Sequence, residues 1–399
     1  MESRILVTKK DDRILTIKIE DNKIVSIQAE SAESAGILGN VYVGKVRNVV
    51  KNINAAFVEF REGEMGYLSL KKYSDSIHTD GVPYQEGRVL IGDEIIVQVE
   101  REAVKTKPPT LSGTINLPGK YTVLISGDSG ISISSKIKDK DKRERLHDIL
   151  EKYVSNEYGF IARTNSEAID DETFENEIKY LAEKYSNMVR YGCHKARFNC
   201  LYEAPPGYIS SIRDSYSEEI TDIITDNEDI YGKIHEFMEQ SQKTEINKLT
   251  LWNTENGKLD VVYNVSRTIE HALMPKVWLK SGAYIIIQPT EALVSIDVNT
   301  GKAISKKKDV EKNFLKVNLE AAKEIARQLR LRNLSGIIII DFIDMKTEEY
   351  NSRLMDCLRQ ELSKDPVKTV VVDMTKLGLV EVTRKKVRKS LYEQLQVND

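Results

Sequence analysis

The sequence predicts a mixed α/β protein made of several domains, and three observations lead to this prediction. The chain has 399 residues, more than one hydrophobic core usually serves. Short apolar runs separated by turn residues dominate the N-terminal part of the chain, which is typical of β-strands. Later segments have apolar residues at helical spacing, and further strand patterns lie between them.

The composition predicts a folded protein that works in a reducing compartment. Hydrophobic residues make up 40% and charged residues 30% of the chain, which argues against disorder. We see no apolar stretch that could cross a membrane and no secretion signal, so we expect a cytoplasmic protein. The three cysteines (Cys193, Cys200, Cys357) suit that location. The formal net charge of −3 means that any nucleic-acid site must be a local basic patch.

The first half of the chain contains mainly strand patterns. The runs ILTIKIE and KIVSIQ predict a hairpin that turns at Asp21-Asn22. Residues 39–73 predict three short strands and residues 93–103 a fourth, which together favour a small closed barrel. The runs YTVLIS, GISISSKI and FIART continue the strand pattern, and helix patterns follow at 141–154 and 173–189.

The last third gives the clearest α/β pattern. Within 213–275, INKLTLW and LDVVYNV predict strands. Residues 283–298 predict a hairpin of buried strands, and 311–334 a core-facing helix. Residues 335–345 predict a fully buried strand that ends in acid. A helix at 348–363 and a strand at 367–374 complete a predicted three-layer unit.

Carboxylates follow two of these strands. Asp297 ends the run ALVSI, Asp341 ends GIIII, and Asp344 lies slightly further on. Strand ends at one edge of a sheet bring hard oxygen ligands together, and magnesium takes one or two carboxylates. Such an ion activates water and neutralises phosphate charge. The alternative is a turn residue or a helix N-cap, which fits Asp344 best because a helix pattern begins soon after it.

Two basic runs flank this acidic region. Residues 301–310 and 383–389 offer six candidates for contact with a nucleic-acid backbone: Lys302, Lys306, Lys307, Lys308, Arg384 and Lys385. The alternative for each run alone is a solvated helix face.

Several segments resemble the catalytic core of the bacterial ribonuclease E/G endonucleases. They are IDVN, then NLEAAKEIARQLRLRNLSGIIIIDFIDM, then LGLVEVTRKKVRKSL. The resemblance runs along nearly the whole chain, and the middle segment is highly specific. It implies that Asp297 and Asp341 bind one Mg²⁺ ion in each active site, with Asn299 close to the metal.

The same resemblance implies a domain layout. An RNase H-like unit is split between 1–37 and 213–275, and an S1/OB-fold RNA-binding domain with an exit linker occupies 38–118. A 5′-sensor region spans 119–212, and a DNase I-like catalytic subdomain spans 276–399.

The resemblance also assigns RNA contacts outside the catalytic subdomain. Phe57 and Tyr67 match RNA-contacting aromatics of the S1 domain, and Lys107 matches a basic residue at the barrel exit. From the residues alone, a core position for Phe57 is equally consistent. Arg163 and Thr164 match a pocket for a 5′-monophosphate, although Ser135-Lys136 stands where well-known members have two arginines.

The function implied is that of a Mg-dependent endoribonuclease. It would cut single-stranded, A/U-rich RNA to 5′-phosphate and 3′-hydroxyl ends, in ribosomal RNA processing and messenger RNA turnover. One alternative is an S1-type protein that binds RNA without cutting it, which the intact Asp297, Asn299 and Asp341 argue against. A second alternative is a DNA nuclease, because fold does not determine substrate.

Two further expectations concern zinc and assembly. No CPxC pair follows the core, so we expect a compact, ribonuclease G-like member without structural zinc, and a homodimer, if one forms, without a shared zinc link. A zinc site at Cys193, His194 and Cys200 is a weaker alternative, because a fourth ligand and paired spacing are lacking.

Overall fold

The computed structural model describes residues 2–33, 36–70, 77, 79, 89–103, 107–215, 219–302 and 310–396. The chain divides into two compact units. The first unit comprises Met1–Glu33, Thr221–Tyr231 and Lys248–Asp399, and the second comprises Ser34–Ile220 and Gly232–Asn247. Both units contain strands and helices, so the predicted mixed α/β class is confirmed. Within the described residues, no helix is long and apolar enough to span a membrane.

The first unit begins with an antiparallel meander. Its strands are β1 (Ser3–Lys10), β2 (Arg13–Glu20) and β3 (Lys23–Ser31). Asp21 and Asn22 have φ values of 46° and 59°, which is the left-handed conformation of a tight hairpin turn. The predicted hairpin is therefore confirmed, and β1 is an additional strand. Strands β14 (Ile220–Thr225) and β15 (Leu249–Leu251) complete a five-stranded sheet in the order β15-β14-β1-β2-β3.

The first unit also contains a six-stranded sheet with the order β16-β17-β18-β19-β21-β20. Its strands are β16 (Lys276–Trp278), β17 (Tyr284–Pro289), β18 (Leu293–Asn299), β19 (Gly336–Asp341), β20 (Thr369–Met374) and β21 (Leu379–Arg384). Helices α7 (Val310–Leu331) and α8 (Glu348–Leu362) pack on one face of this sheet. The predicted hairpin of β17 and β18 and the predicted core-facing helix are confirmed.

Within the described residues, helices cover only one face of this sheet, so the prediction of three layers is wrong. Ile338 and Ile340 of β19 are completely buried, whereas Ile337 is 53% exposed and Asp341 is exposed. Side chains alternate between the two faces of a strand, so a continuous apolar run does not by itself require that both faces be buried. The predicted fully buried strand is therefore buried on one face. We call the other face the open face of the sheet.

Helices replace the strand predicted at LDVVYNV. Residues Leu259–Val262 form α5 and Val265–Leu273 form α6. The valines favour a strand locally, but the carboxylate of Asp260 accepts hydrogen bonds from both the backbone N–H and the hydroxyl of Ser266. This contact stabilises the start of α6, and Leu259 and Val265 become completely buried.

The second unit contains the predicted closed barrel. Its strands are β4 (Val41–Val50), β5 (Ala55–Arg61), β6 (Glu64–Ser69), β7 (Glu94–Arg101) and β8 (Thr110–Ser112). The sheet runs β4-β5-β6-β8-β7, and β7 pairs back onto β4. This pairing closes a five-stranded barrel of OB type.

A four-stranded sheet, order β11-β12-β10-β9, completes the second unit. Its strands are β9 (Asn116–Pro118), β10 (Thr122–Ser126), β11 (Ile131–Ile133) and β12 (Tyr158–Ala162). Helices α1 (Lys140–Glu151) and α2 (Asp171–Gly192) confirm the helix patterns predicted at 141–154 and 173–189, and both contribute to the same core. In the described residues of both units, the other strands and α-helices are β13 (Cys200–Tyr202), α3 (Gly207–Asp214), α4 (Glu228–Ser241) and α9 (Leu391–Leu395).

Candidate metal centre and surrounding residues

Asp297 and Asp341 lie side by side on the open face of the six-stranded sheet. Strands β18 and β19 are parallel, and their register makes Asp297 and Asp341 direct Cα partners. Neighbouring strands are about 4.8 Å apart, so the two carboxylates project next to each other. Both residues are exposed. The register therefore unites two acids that are distant in the sequence.

The electrostatics of this pair favour a bound cation. Partial burial and the negative charges of Asp297 and Asp344 raise the pKa of Asp341. The side-chain amide of Asn299 donates a hydrogen bond to Asp297 Oδ2 at 2.6 Å, which orients that carboxylate. Carboxylates held this close repel one another, and a bound divalent cation would relieve the repulsion.

The donor set fits magnesium, which takes oxygen ligands and commonly one or two carboxylates. Asp297 and Asp341 supply two carboxylates, and Asp344 is near enough to raise the pKa of Asp341. In the described part of the chain, only His147, Asp148 and Glu151 bring three metal-ligating atoms within 4.8 Å of one another. These three residues are exposed on α1, where helical spacing alone explains their proximity.

Helix α7 holds the segment that follows Asp341. The amide of Asn318, a completely buried residue, donates to the carbonyl of Ile343 at 2.8 Å and accepts from its N–H at 3.1 Å. The Glu311 carboxylate accepts hydrogen bonds from the backbone and hydroxyl of Thr347. Hydrogen bonds from Thr347 and Lys346 lower the pKa of Glu311. The position of Asp344 between these contacts is therefore restrained.

A glycine determines the path of the chain after Asn299. Gly301 has a φ of +53°, and a Cβ atom there would lie 2.5 Å from the carbonyl oxygen of Gly282. The next residue, Lys302, donates its backbone N–H to the same oxygen at 3.2 Å, and its side chain is exposed. The other predicted cations of this run, Lys306, Lys307 and Lys308, lie outside the described residues.

Arg384, predicted as a candidate for contact with a nucleic-acid backbone, is instead buried and paired with Asp365. It is 4% exposed, and its guanidinium donates to both carboxylate oxygens of Asp365 at 2.7 and 3.3 Å. Its Nη1 donates to Asn333 Oδ1 and to the carbonyl of Leu334. On β21, Arg384 follows the alternation of the buried Val380 and Val382, so it points toward the core. Lys385, the next residue, is exposed.

The predicted aromatic pair lies on the barrel surface. Phe57 of β5 and Tyr67 of β6 are direct cross-strand partners, with ring centroids 6.1 Å apart in an edge-to-face arrangement. Both are half-buried, whereas Ala56 and Val58 are completely buried, so Phe57 is not a barrel-core residue. Lys107 is exposed, and Tyr67 donates its N–H to the carbonyl of Pro109 at 2.8 Å. Phe57 and Tyr67 therefore form one surface of the barrel, and the segment that begins at Lys107 reaches Tyr67 through Pro109.

Arg163 and Thr164 follow β12 and make internal contacts. Arg163 Nη1 donates to the carbonyl of Gly119 at 2.7 Å and to Asp214 Oδ1 at 2.8 Å. The hydroxyl oxygens of Thr164 and Ser134 are 3.0 Å apart. Arg213 and Arg163 hold the pKa of the exposed Asp214 carboxyl below its usual value, although partial desolvation acts in the opposite direction. The arginine is thus oriented by two acceptors bonded to a single nitrogen, Nη1.

Inspection of the sequence did not single out Asn318, Glu311 or the partner of Arg384. Asn318 sits within an apolar helix pattern, where a completely buried amide requires hydrogen-bonding partners. That mismatch between residue type and pattern is the signal that identifies such a residue. Asp365 gave no comparable signal, because a buried aspartate in a turn cannot be distinguished by sequence from a solvated one.

Comparisons with known proteins agree with the resemblance seen in the sequence. Residues 116–387 match the family described as the Ribonuclease E/G family. The chain is 33% identical over 395 residues to ribonuclease G of Haemophilus influenzae, which covers 96% of this chain and 79% of that protein. It is 33% identical over 402 residues to ribonuclease G of Escherichia coli, covering 98% of this chain and 81% of that protein. Identity to ribonuclease E of a Nostoc species is 31% over 368 residues, or 89% of this chain and 52% of that protein.

Proposed function

This chain belongs to the ribonuclease E/G family, and from that premise we propose that it cleaves single-stranded RNA internally at the pair Asp297 and Asp341. The named relatives are ribonucleases, and the same broad activity, that of an endoribonuclease, applies to this chain. The observation that carries the proposed site is the direct register of the two aspartates on parallel strands. The substrates that we propose are A/U-rich stretches of ribosomal RNA precursors and messenger RNA in the cytoplasm.

The chemistry follows from the charges around the pair. Asp297 and Asp341 would hold one magnesium ion, and Asn299 orients the Asp297 carboxylate through the 2.6 Å hydrogen bond. The ion, when bound, activates water and neutralises charge on the scissile phosphate. The exposed ammonium of Lys302 adds positive charge beyond the strand end. Water attack at phosphorus with departure of the 3′ oxygen leaves 5′-phosphate and 3′-hydroxyl ends.

We further propose a role for each segment of the fold. The barrel within 38–118 is an S1 domain, whose Phe57 and Tyr67 stack on bases while Lys107 contacts the backbone. Segments 1–37 and 213–275 form an RNase H-like unit with a structural role. Residues 276–399 form a DNase I-like catalytic subdomain, and residues 119–212 contain a 5′-end sensor.

The first test is cleavage of a short A/U-rich RNA with a 5′-monophosphate, with magnesium or with excess chelator. We expect internal cuts with magnesium and none with chelator, because the two carboxylates alone cannot activate water. Product ends are identified by their reactivity toward kinase and phosphatase. RNA binding without cleavage at any magnesium concentration would support the non-catalytic alternative. Cleavage of single-stranded DNA at the same rate would support a DNA nuclease.

Recognition of the RNA 5′ end is proposed for Arg163 and Thr164. The Nε and Nη2 groups of Arg163 are not bonded to Gly119 or Asp214, both of which contact Nη1. An arginine held in this way presents donors suited to a phosphate. Lys136, exposed beside Ser134, adds positive charge where other family members have arginine.

Replacement of Arg163 by alanine is expected to remove the preference for monophosphorylated RNA. Loss of a charge-assisted hydrogen bond corresponds to a factor of about 10 to 100, so the ratio of cleavage rates for 5′-monophosphate and 5′-hydroxyl substrates should fall toward one. Arg145→Ala is the matched control, because Arg145 also pairs with an aspartate, Asp171, on the surface of the second unit. An unchanged ratio in Arg163→Ala, with cleavage intact, would exclude Arg163 from 5′-end recognition.

A further inference from the structure

An exposed group of two aromatic rings and one cation lies on the open face of the six-stranded sheet. Trp278 is 61% exposed, and its ring centroid is 5.2 Å from that of Tyr284, with an interplanar angle of 63°. The ammonium of Lys276 lies 4.1 Å from the centroid of Trp278 and 3.8 Å from that of Tyr284. The two rings and the ammonium therefore form one continuous surface, here called the aromatic platform.

Strand register places this platform next to the candidate metal pair. Lys276 is the Cα partner of Ile286, Ile286 is the partner of Asp297, and Asp297 is the partner of Asp341. In the adjacent row, Trp278 is the partner of Tyr284, and Tyr284 is the partner of Asn299. Two strand spacings separate the Cα atoms of Lys276 and Asp297, which is about 10 Å.

All of these side chains project from the same face. Ile285 and Ile287 of β17 are in the core, as are Ile296 and Val298 of β18, and side chains alternate along each strand. Tyr284 is therefore on the same open face as Asn299 and Asp297. A nucleotide chain that is bound at the aspartate pair and follows this face would therefore reach the platform.

The chemistry of the platform suits a nucleobase with its phosphate. Aromatic faces stack on any base, and a nearby cation adds to the binding of single strands. A cation–π contact at an exposed site is weak. The free energy of the contact with Lys276 is therefore too small to offset the cost of exposing the Trp278 indole to water. The carboxylates of Asp297 and Asp341 lie in the same row as Lys276 and disfavour the binding of an acidic peptide. The RNA backbone can approach these carboxylates only where a cation neutralises the charge of its phosphates.

We propose that Trp278 and Tyr284 stack a base next to the scissile phosphate of the RNA substrate, while Lys276 contacts the phosphate of that nucleotide. This inference rests on the proposed function, because it defines a subsite of the same centre. Stacking tolerates every base, so the platform strengthens binding without imposing a sequence.

The kinetic test compares Trp278→Ala with wild type on a short single-stranded RNA. We expect KM to rise by about 5- to 100-fold, the factor typical of a lost base–aromatic stack, while kcat changes much less. Trp278→Phe should restore most of the loss, because it keeps an aromatic face. Tyr392→Ala is the control, since Tyr392 is a tyrosine of the first unit that is 58% exposed and lies on α9, outside the sheet.

A substrate with one abasic nucleotide beside the cut locates the stacked base. For wild type, KM on the abasic RNA should rise by the same factor as KM of Trp278→Ala rises on the intact RNA. For Trp278→Ala, KM should rise little further when the abasic RNA replaces the intact RNA. This non-additivity is expected when the two changes remove one shared contact. Additive losses at every abasic position would place the stacked base elsewhere and overturn the subsite.

Tryptophan fluorescence gives a readout that does not depend on activity. The chain has two tryptophans, so the signal that differs between wild type and Trp278→Phe belongs to Trp278. Mixing with RNA and magnesium in a stopped-flow instrument should quench this signal before cleavage occurs. If KM is unchanged in Trp278→Ala and RNA does not quench the Trp278 signal of wild type, the subsite alone is overturned. If wild type does not cleave RNA, the proposed function is overturned. Trp278 emission that changes with protein concentration in the absence of RNA would indicate a contact between copies and also overturn the subsite.

Discussion

Replacement of Asp297 or Asp341 by asparagine is expected to lower magnesium-dependent RNA cleavage by more than about 100-fold, beyond the 10- to 100-fold effect typical of an outer-shell residue. Asparagine keeps the size of the side chain but removes the negative charge that holds the ion. The two aspartates are direct partners across β18 and β19, so each variant removes half of the carboxylate pair. Cleavage is measured under single-turnover conditions over a range of magnesium concentrations.

Asn299→Ala should lower RNA cleavage by an intermediate factor. Its effect distinguishes orientation of the Asp297 carboxylate from direct binding of the metal ion. Asn299 donates to Asp297 and acts through that carboxylate, so we expect a loss of about 10- to 100-fold that high magnesium partly restores. Asp356→Asn is the control, because Asp356 is an exposed aspartate of α8 in the same unit. If Asp297→Asn and Asp341→Asn cleave RNA as wild type does while remaining folded, the catalytic centre must lie elsewhere.

Replacement of Asp365 by alanine is expected to cost about 3–5 kcal/mol of unfolding free energy, the typical effect of removing one partner from a buried ion pair. The side chains of Arg384 and Asp365 are almost completely buried. Without Asp365, the guanidinium keeps only its contacts with Asn333 and the Leu334 carbonyl. Denaturant unfolding, followed through a spectroscopic probe in the first unit, measures the change.

The exposed pair Asp356–Arg359 provides a matched comparison. Its members are 3.3 Å apart and both are exposed, so Asp356→Ala should change stability by less than about 1 kcal/mol. The double replacement Asp365→Leu with Arg384→Met should recover much of the loss, because it removes both buried charges. A loss no larger for Asp365→Ala than for Asp356→Ala would mean that the guanidinium of Arg384 is solvated in solution.

Much of the local structure could be predicted from residue patterns. The hairpin at Asp21-Asn22 needs only a left-handed turn between two alternating runs, and α7 needs only apolar residues at helical spacing. Both signals lie within a short window of the chain. The segment Leu259–Val262 shows the limit of such windows, because a contact between Asp260 and Ser266 outweighed the strand propensity of the valines.

The sequence by itself determined which residues are chemically suited to a metal centre, namely two aspartates at the ends of apolar strands and an asparagine that follows the first of them. It also determined the mixed α/β class and the presence of a barrel. Only the tertiary structure decided that Asp297 and Asp341 are direct partners, that Arg384 is internal and that Trp278 lies on the open face beside them. The physical reason is that strand register and burial depend on pairing between residues far apart in the chain, whereas residue type and periodicity are local properties.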